Sequence, residues 1–588
     1  MKESVFSQAC DSARELVANA AKAQFALELA ASAVPVFPPR DAAAKTADLS
    51  CSISFELAGK LKQPPAAVAD ALCKAVQAEI SAGVAGLFSG CTVLNGYINF
   101  SFSGEFFANA ATEAAGGNEK FGSHDFGAGK VAVIDFSSPN VGKPLHIGHI
   151  RSTILGDSIR NLMGFCGYKT VASNYLCEAG AQVAKLMLGV REFGAGSVRD
   201  EKDLLEYYVK ISGQIDSDPQ LKAKSEQILE AMENGDQSVA ADLQRVREIS
   251  LPPVYESYKT LGITFDEECF DSTLVPQSKA IVAEAVANGL AFKDKAGETV
   301  ADLESRSKLP NLIILRSNGT TLYSTRDLAL ADSRWEKYRF DHDIYVTASE
   351  QNTHFKQVFK LLELLGRPYV PKCEHIGFGL IFLEGGQKLS TRKGSVLLLE
   401  DVLDEAVGKA KEEIKRKAEY SETQMEEIAR EVGIGAVKFA VLRVTAEKNI
   451  QFSASRAVSF EGDSGAYLQY TFVRAQNILR KAKEQGIEFE GAAGGIEGLQ
   501  FADAEREVVK LVATFPSVVE SSCKNRAPQQ VCDYLLKLAA AFSSFYAACP
   551  VLPAEGGERK KRLLIVAATR NAMANGLTLL GIRLPEKM

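Results

Sequence analysis

Val131-Ala-Val-Ile-Asp-Phe136 is a short continuous apolar run, the kind that a strand buried on both faces of a parallel sheet requires. A loop over residues 137–144 follows it, and helix-patterned sequence then opens at His146-Ile-Gly-His149 and continues to about Gly164. Strand, tight loop and helix form the opening unit of a nucleotide-binding α/β domain. Similar runs recur at residues 312–315, 344–346 and 376–378, each followed by helical sequence. This alternation predicts a Rossmann-like, doubly wound parallel sheet for residues 130–400. The polar, helix-rich stretch from about 194 to 261 reads as a helical insertion into that domain.

Sequence on either side has a different character. Before the first run, Val68, Leu72, Val76 and Ile80 share one helical face, and Gly96-Tyr-Ile-Asn-Phe-Ser-Phe102 alternates as a half-buried strand does. Glycines at 116, 117, 122, 127 and 129 mark a linker, so residues 1–129 read as a small α+β domain. Beyond about Glu400 strand signals nearly vanish. Long amphipathic segments, broken by loops at 486–498 and 550–557, predict an all-α helical bundle over residues 401–588. The fold class is therefore multidomain α/β.

Composition bounds the function. The net charge of −7 means that a polyanionic partner would have to meet local basic patches, because the surface as a whole is not basic. Eleven cysteines, with no two arranged C-x-x-C, argue against a disulfide framework and against a structural zinc. No stretch predicts a membrane span. The most apolar early segment is interrupted by Lys22 and Glu28, and Glu3, Asp11 and Glu15 argue against an organellar transit peptide. A cytoplasmic protein with reduced thiols is expected.

Two segments carry chemistry. Where the helix opens, unpaired N–H groups and a partial positive charge make a site for phosphate. His146 and His149, three apart, share a face there and can reach the same phosphate. Gly148 leaves room for a nucleotide base against the backbone. On its own the pair also fits a metal site lacking a third ligand, or ordinary capping. Far downstream, Gly386-Gln-Lys-Leu-Ser-Thr-Arg-Lys-Gly-Ser395 sets Lys388, Arg392 and Lys393 on a glycine-flanked loop. Such cations suit a triphosphate whose charge shifts during reaction, although a lysine-rich loop alone is also compatible with plain solvated surface.

Together the two segments resemble the HIGH and KMSKS signatures of class I aminoacyl-tRNA synthetases. The resemblance implies that His146, Gly148, His149, Lys388, Ser390 and Arg392 bind ATP, which arrives with Mg²⁺. It further implies that His146, His149, Lys388 and Lys393 act catalytically, the loop stabilising pyrophosphate as a carboxylate attacks the α-phosphorus. The second lysine of the loop is displaced to Lys393, and S-T-R-K-G loops look like the arginyl branch.

Ser138-Pro-Asn…Arg-Ser-Thr153, Thr321-Leu-Tyr-Ser-Thr-Arg-Asp327, Phe460-Glu-Gly…Tyr-Leu-Gln-Tyr470 and Gly581-Ile-Arg-Leu-Pro-Glu-Lys-Met588 also resemble arginyl-tRNA synthetases, as does the N-terminal Gly-Tyr-Ile-Asn-Phe. The likeness spans essentially the whole chain. It implies ATP-dependent ligation of L-arginine to tRNA(Arg) through an arginyl-adenylate, by a monomer, with the amino acid passed to a terminal 2′-hydroxyl. Adenylate formation on bound tRNA is implied as well.

For the amino acid, the resemblance implies contacts from Asn140, Asp271, Tyr323, Asp327 and Gln351. Asp271 and Asp327 would face the guanidinium, a planar fork of five donors, and Asn140 the α-amino or carboxylate end. Such polar sites reject analogues by about 10⁴–10⁵ without editing, and no editing domain is expected. Two positions depart from the family pattern, which has Glu at Asp271 and Asp at Glu178.

For the RNA, Tyr467, Tyr470 and Arg474 share a helical face. Periodicity alone reads the tyrosines as core or boundary residues. The resemblance reads this face as the one that meets the anticodon, with Met588 near the anticodon loop. Arg480, Lys481 and Lys483 follow as candidate phosphate contacts, whereas Phe542, Phe545 and Tyr546 read as core packing. The N-terminal domain resembles a module that touches the outer corner of the tRNA.

Overall fold

The computed structural model describes residues 3–39, 47–83, 86–194, 198–383, 398–416, 420–459, 462–487, 496 and 498–588. The N-terminal part contains α1 (Val5–Phe25), β1 (Val36–Phe37), β2 (Leu49–Cys51), α2 (Ile53–Leu61), α3 (Pro65–Ser81), β3 (Phe88–Leu94), β4 (Tyr97–Phe102) and α4 (Gly104–Gly117). Its four strands make an antiparallel sheet in the order β1-β2-β4-β3. Val68, Leu72 and Val76 of α3 are fully enclosed, as their spacing predicts.

The middle of the chain runs β5 (Val131–Asp135), α5 (Ile147–Phe165), β6 (Lys169–Leu176), α6 (Ala181–Phe193), then three insertion helices, α7 (Glu201–Ile215), α8 (Pro219–Glu233) and α9 (Gln237–Leu261). It continues with β7 (Glu267–Phe270), α10 (Val275–Ala287), β8 (Ala291–Lys293), β9 (Thr299–Ala301), the single turn α11 (Glu304–Ser307), β10 (Leu312–Leu315), α12 (Tyr323–Tyr338), β11 (His342–Ala348), α13 (Asn352–Leu364), β12 (Cys373–Phe378) and β13 (Ile381–Leu383). Five strands form an all-parallel sheet in the order β12-β11-β5-β6-β7. The chain leaves β5 toward β6 and β7 on one side and later fills β11 and β12 on the other. The crevice beyond the ends of β5 and β11 is therefore the topological switch point, where ligands bind in open α/β sheets.

One reading of the sequence needs correction. The run at 312–315 does not join the parallel sheet but pairs antiparallel with β9, which pairs with β8. Leu312 and Ile314 are buried while Ile313 is 38% exposed. That alternation belongs to a sheet solvated on one face, and four aliphatic residues cannot reveal it in advance. The sheet's actual strand β6 carries Ser173 and Asn174, which look unlike core. Both are fully buried because they are hydrogen-bonded, Ser173 to Arg334 at 2.9 Å and Asn174 to Tyr258 at 3.4 Å.

The C-terminal part is α14 (Leu399–Lys415), α15 (Glu422–Leu442), β14 (Ile450–Phe452), the single turn α16 (Ala454–Ala457), α17 (Gly465–Glu484), α18 (Asp503–Lys524), α19 (Gln529–Ala548) and α20 (Gly556–Leu579). It is helical except for β14, which pairs in parallel with β13 of the preceding part. A three-residue strand is too short for periodicity to show. Among the described residues no helix is long and apolar enough to cross a membrane.

One guanidinium fastens the sheet. Arg334 of α12, 2% exposed, reaches Asp135 at 2.8 Å, Ser173 at 2.9 Å and Asp343 at 3.3 Å, so a single side chain holds β5, β6 and β11. Burial pushes the Asp343 carboxyl up to about 6 in spite of Arg334. Removing the cation leaves two enclosed carboxylates without their charge partner. Arg334→Leu should therefore cost about 3–5 kcal/mol, measured by urea unfolding. A loss below 1 kcal/mol would contradict this role.

Candidate active site

The loop that leaves β5 is held open by strain and by hydrogen bonds. Ser137 and Ser138 have φ of 74° and 50°, in the left-handed region that side chains disfavour. Four contacts hold them there. Ser152 Oγ accepts the Ser137 N–H at 3.0 Å, and Ser137 Oγ lies 2.9 Å from Thr153 Oγ1 and 2.8 Å from the Tyr258 hydroxyl. The Ser138 hydroxyl donates to Asp135 at 3.0 Å. The Arg-Ser-Thr that follows the histidines thus supplies the clamps for the Ser-Pro-Asn that precedes them. Further along the loop, the Ser250 hydroxyl of α9 takes the Gly142 N–H at 3.0 Å.

His146 is the N-cap of α5. Its Nδ1 accepts the Gly148 N–H at 3.0 Å, and its own N–H donates to His149 Nδ1 at 3.2 Å. The two rings lie 4.0 Å apart. Burial, then Lys143, pushes His146 down to about 4, and burial, then His146 and Lys143, holds His149 well below its usual range. Both imidazoles are therefore neutral near pH 7. Because each Nδ1 accepts, each proton sits on Nε2, and the pair presents two uncharged donors at a positive helix end. A Cβ on Gly148 would lie 2.7 Å from the His146 ring, so the missing side chain makes room first of all for that imidazole.

Lys388, Ser390, Arg392 and Lys393 lie outside the described residues. The described chain resumes beside His146: Leu398 makes a β-bridge to it, and the Leu399 N–H donates to the Leu145 carbonyl at 3.0 Å.

On the other side of the switch point, Tyr323 opens α12 and its hydroxyl donates to Gln351 at 3.4 Å. Asp327, one turn on and 4% exposed, bonds His354 Nε2 at 2.5 Å, and the His354 ring lies 5.5 Å from that of Tyr323. Tyr323, Asp327 and Gln351 thus meet around His354, a residue that the sequence reading missed because nothing in its local pattern marks it. Asn140 is held by the chain after β6, with Val141 N–H on the Cys177 carbonyl at 3.0 Å and Cys177 N–H on that of Pro139 at 3.1 Å.

Asp271, expected to face the substrate guanidinium, has partners inside the protein. It is fully buried, its Oδ1 takes the N–H groups of Glu178 and Ala179 at 2.7 Å each, and its Oδ2 lies 3.0 Å from Nε of the chain's own Arg326. The chain's own guanidinium thus lies against the carboxylate as an ion pair.

In the C-terminal part, a cleft of about 550 Å³ is lined by Tyr470, Val473, Arg474, Lys481, Tyr546 and Met588. The Arg474 guanidinium lies 4.8 Å from the Tyr470 ring centroid and 5.1 Å from that of Tyr546. Tyr546, expected in the core, is 46% exposed, while Phe542 and Phe545 are fully buried. It sits one residue past Phe545 on α19, about a quarter-turn around the helix, and that rotation carries it out of the core. Tyr467 stands apart from the cleft, its hydroxyl 3.2 Å from Ser543 Oγ.

A helix start with two histidines at the switch point of a parallel sheet, a polar pocket around Asp327 and His354 and a helical C-terminal part with an aromatic, cationic cleft are the features of a class I aminoacyl-tRNA synthetase. A family model described as "tRNA synthetases class I (R), catalytic domain" matches residues 117–453, flanked by matches to "Arginyl tRNA synthetase N terminal domain" at 11–102 and "DALR anticodon binding domain" at 468–588. An arginine–tRNA ligase of Halothermothrix orenii is 35% identical over 91% of this chain and 92% of its own length. That of Clostridioides difficile is 34% identical over 91% and 92%. The Thermus thermophilus arginyl-tRNA synthetase structure aligns with a TM-score of 0.77 at 25% identity, covering 98% of this chain and 99% of its own. The Plasmodium falciparum structure shares the fold, with a TM-score of 0.79 at 20% identity over 98% of each chain. The chain belongs to the arginyl-tRNA synthetase family, and it ligates arginine to tRNA for protein synthesis.

The pH dependence follows from the two imidazoles. The unfolded chain takes up protons below about pH 6.5 that folded His146 refuses until about 4, so the pair costs stability as pH falls through that window. The kcat/KM for ATP reports the free enzyme and should show no limb near 6.5. A limb centred there that disappears in His146→Gln would contradict the neutral pair.

Proposed function

We propose that arginine is bound by Asp327, Tyr323, Gln351 and Asn140, because the Asp327–His354 pair stands beside Tyr323 and Gln351. Asp327 gives one oxygen to His354 and its other to the substrate guanidinium. Asn140 receives the α-amino or carboxylate end. His146 and His149 donate through Nε2 to ATP phosphates at the start of α5, with Gly148 between them. Lys388, Ser390, Arg392 and Lys393 act on the triphosphate from their loop, with Lys388 and Lys393 countering the charge of the leaving pyrophosphate. Mg²⁺ enters with ATP as part of that substrate. Arginyl-adenylate forms by attack of the arginine carboxylate on the α-phosphorus, with tRNA bound, and the arginyl group passes to the terminal 2′-hydroxyl. Positioning and charge stabilisation drive both steps.

The anticodon is read at the cleft of Tyr470, Arg474 and Met588, with Tyr467 supporting the same helix. The work divides among residues 1–129, 130–400 and 401–588, in a monomer of the cytoplasm.

Asp327→Ala should lose about 3–5 kcal/mol of arginine binding, read as the arginine KM in tRNA charging. A KM within twofold of the parent would remove Asp327 from the pocket. Tyr546, which completes the cleft, should contribute a stack of about 1–3 kcal/mol. Tyr546→Ala then raises the tRNA KM while leaving the ATP and arginine KM values unchanged, and an unaltered tRNA KM would exclude Tyr546 from that surface.

A further inference from the structure

The helical insertion holds none of the residues assigned to substrates, yet two of its charges are bound deep against the amino-acid side. Arg247 of α9 forks onto Glu178, with Nε 2.5 Å from Oε2 and a second amino group on Oε1. Glu178 is fully buried and also takes the Ser272 hydroxyl. The backbone of Glu178 and Ala179 donates to Asp271, and Asp271 pairs with Arg326. Arg326 in turn donates to Thr321 Oγ1 at 2.9 Å. Thr321 gives its N–H at 2.8 Å and its hydroxyl at 2.7 Å to Glu233, the last residue of α8, whose other oxygen lies 3.2 Å from Lys279.

This chain of contacts starts and ends in the insertion. Between its ends it holds two pieces of the substrate crevice. One is the segment at Cys177–Ala179, whose backbone fixes Asn140. The other is the start of α12, which carries Tyr323 and, next to Arg326, Asp327. Glu178 and Asp271, where the resemblance implies the other acid at each position, are the carboxylates that meet here. The longer acid reaches Arg247, and the shorter one fits against the 178–179 amides and Arg326.

We propose that Arg247 is a positioning residue for the amino-acid pocket and that Asp271 serves as a strut neutralised by Arg326. The proposal rests on the assignment of arginine to the Asp327 pocket. Arg247 pairs with Glu178 in the interior, the 178–179 amides hold Asp271, and Asp271 holds Arg326 one residue from Asp327. Without the cation, Glu178 is left as an enclosed carboxylate with a single hydroxyl donor from Ser272, and the segment must shift to solvate it.

The test is tRNA charging by full-length Arg247→Gln and by Arg247→Gln/Glu178→Gln. A small displacement of reacting groups costs up to about 10²-fold, so the single variant should raise the arginine KM by about tenfold or more while the ATP KM stays within about twofold. The double variant, an uncharged hydrogen-bonded pair of similar volume, should recover most of that loss. An unchanged arginine KM in the single variant overturns the proposal, as does a joint rise of both KM values that the double variant fails to correct. Should Arg247→Gln not fold, Arg247→Lys, which keeps the charge and loses the fork, must show the same split in smaller measure, and an unchanged arginine KM there also overturns it. Asp327→Ala measured alongside separates the two assignments, because its arginine KM depends on the pocket itself whatever Arg247 does.

Discussion

The Arg334 fork is the contact on which the geometry of the crevice depends. Asp135 closes β5, Ser173 lies in β6 and Asp343 in β11, and one planar cation bonds all three. Parallel strands have no hairpin to set where they stop, so something else must align their ends. Here it is a buried charge cluster beneath the loops at the switch point. Asp135 also accepts from the Ser138 hydroxyl, and so the same cluster reaches the strained turn that launches α5. Buried ion pairs gain little net stability over apolar packing but are costly to break singly, which favours one alignment of the strands over near alternatives.

Above that alignment the two halves of the crevice use charge differently. At the start of α5 the protein offers dipoles and neutral imidazoles, both kept uncharged by burial. A chain of net charge −7 can hold phosphate this way because N–H groups at a helix end need no basic surface. Around the start of α12 the walls carry full charges, and several of them are matched inside the protein: Asp271 by Arg326, Glu178 by Arg247, Glu233 by Lys279. Asp327, by contrast, has a histidine rather than a fixed cation as its partner.

The parallel domain, the N-terminal α+β unit and the helical C-terminal part were legible because each has its own periodicity, continuous apolar runs, alternation and 3.6-residue spacing. The start of α5 was legible because histidines flanking a glycine at a helix N-terminus have a chemical reason to be there. Other features had no local signal. Ser173 and Asn174 conceal a core strand, since their partners Arg334 and Tyr258 lie far along the chain. His354 is unremarkable until α13 brings it onto Asp327. The exposure of Tyr546 depends on a quarter-turn of helix phase between neighbours. The internal occupant of Asp271 could not be read from spacing at all, because a carboxylate looks the same whether its guanidinium comes from the substrate or from Arg326.

Helix α5 joins these parts mechanically. Its first turn carries the histidines. One turn on, Arg151, 1% exposed, donates to the carbonyls of Gly379 at 2.7 Å, Lys448 at 2.5 Å and Thr445 at 2.9 Å, fastening the chain on both sides of the β13–β14 pair. Burial lowers its pKa to about 10, and it remains a cation at neutral pH. Two turns further, the Ser158 hydroxyl bonds the Leu579 carbonyl at 2.9 Å, and Lys438 bonds that of Gly581 at 2.7 Å, at the root of the tail whose Met588 lines the aromatic cleft. A Cβ at Gly581 would come within 2.8 Å of the Asp157 carboxylate and 3.0 Å of Lys438 Nζ, so helix and tail are packed without slack. The apolar cluster that includes Ile150, Ile154 and Ile159 continues into both the N-terminal part and the C-terminal helices. Sliding the cleft relative to the start of α5 would therefore expose a shared core and strip several enclosed donors of their acceptors at once, and the cost of that keeps the two in fixed register.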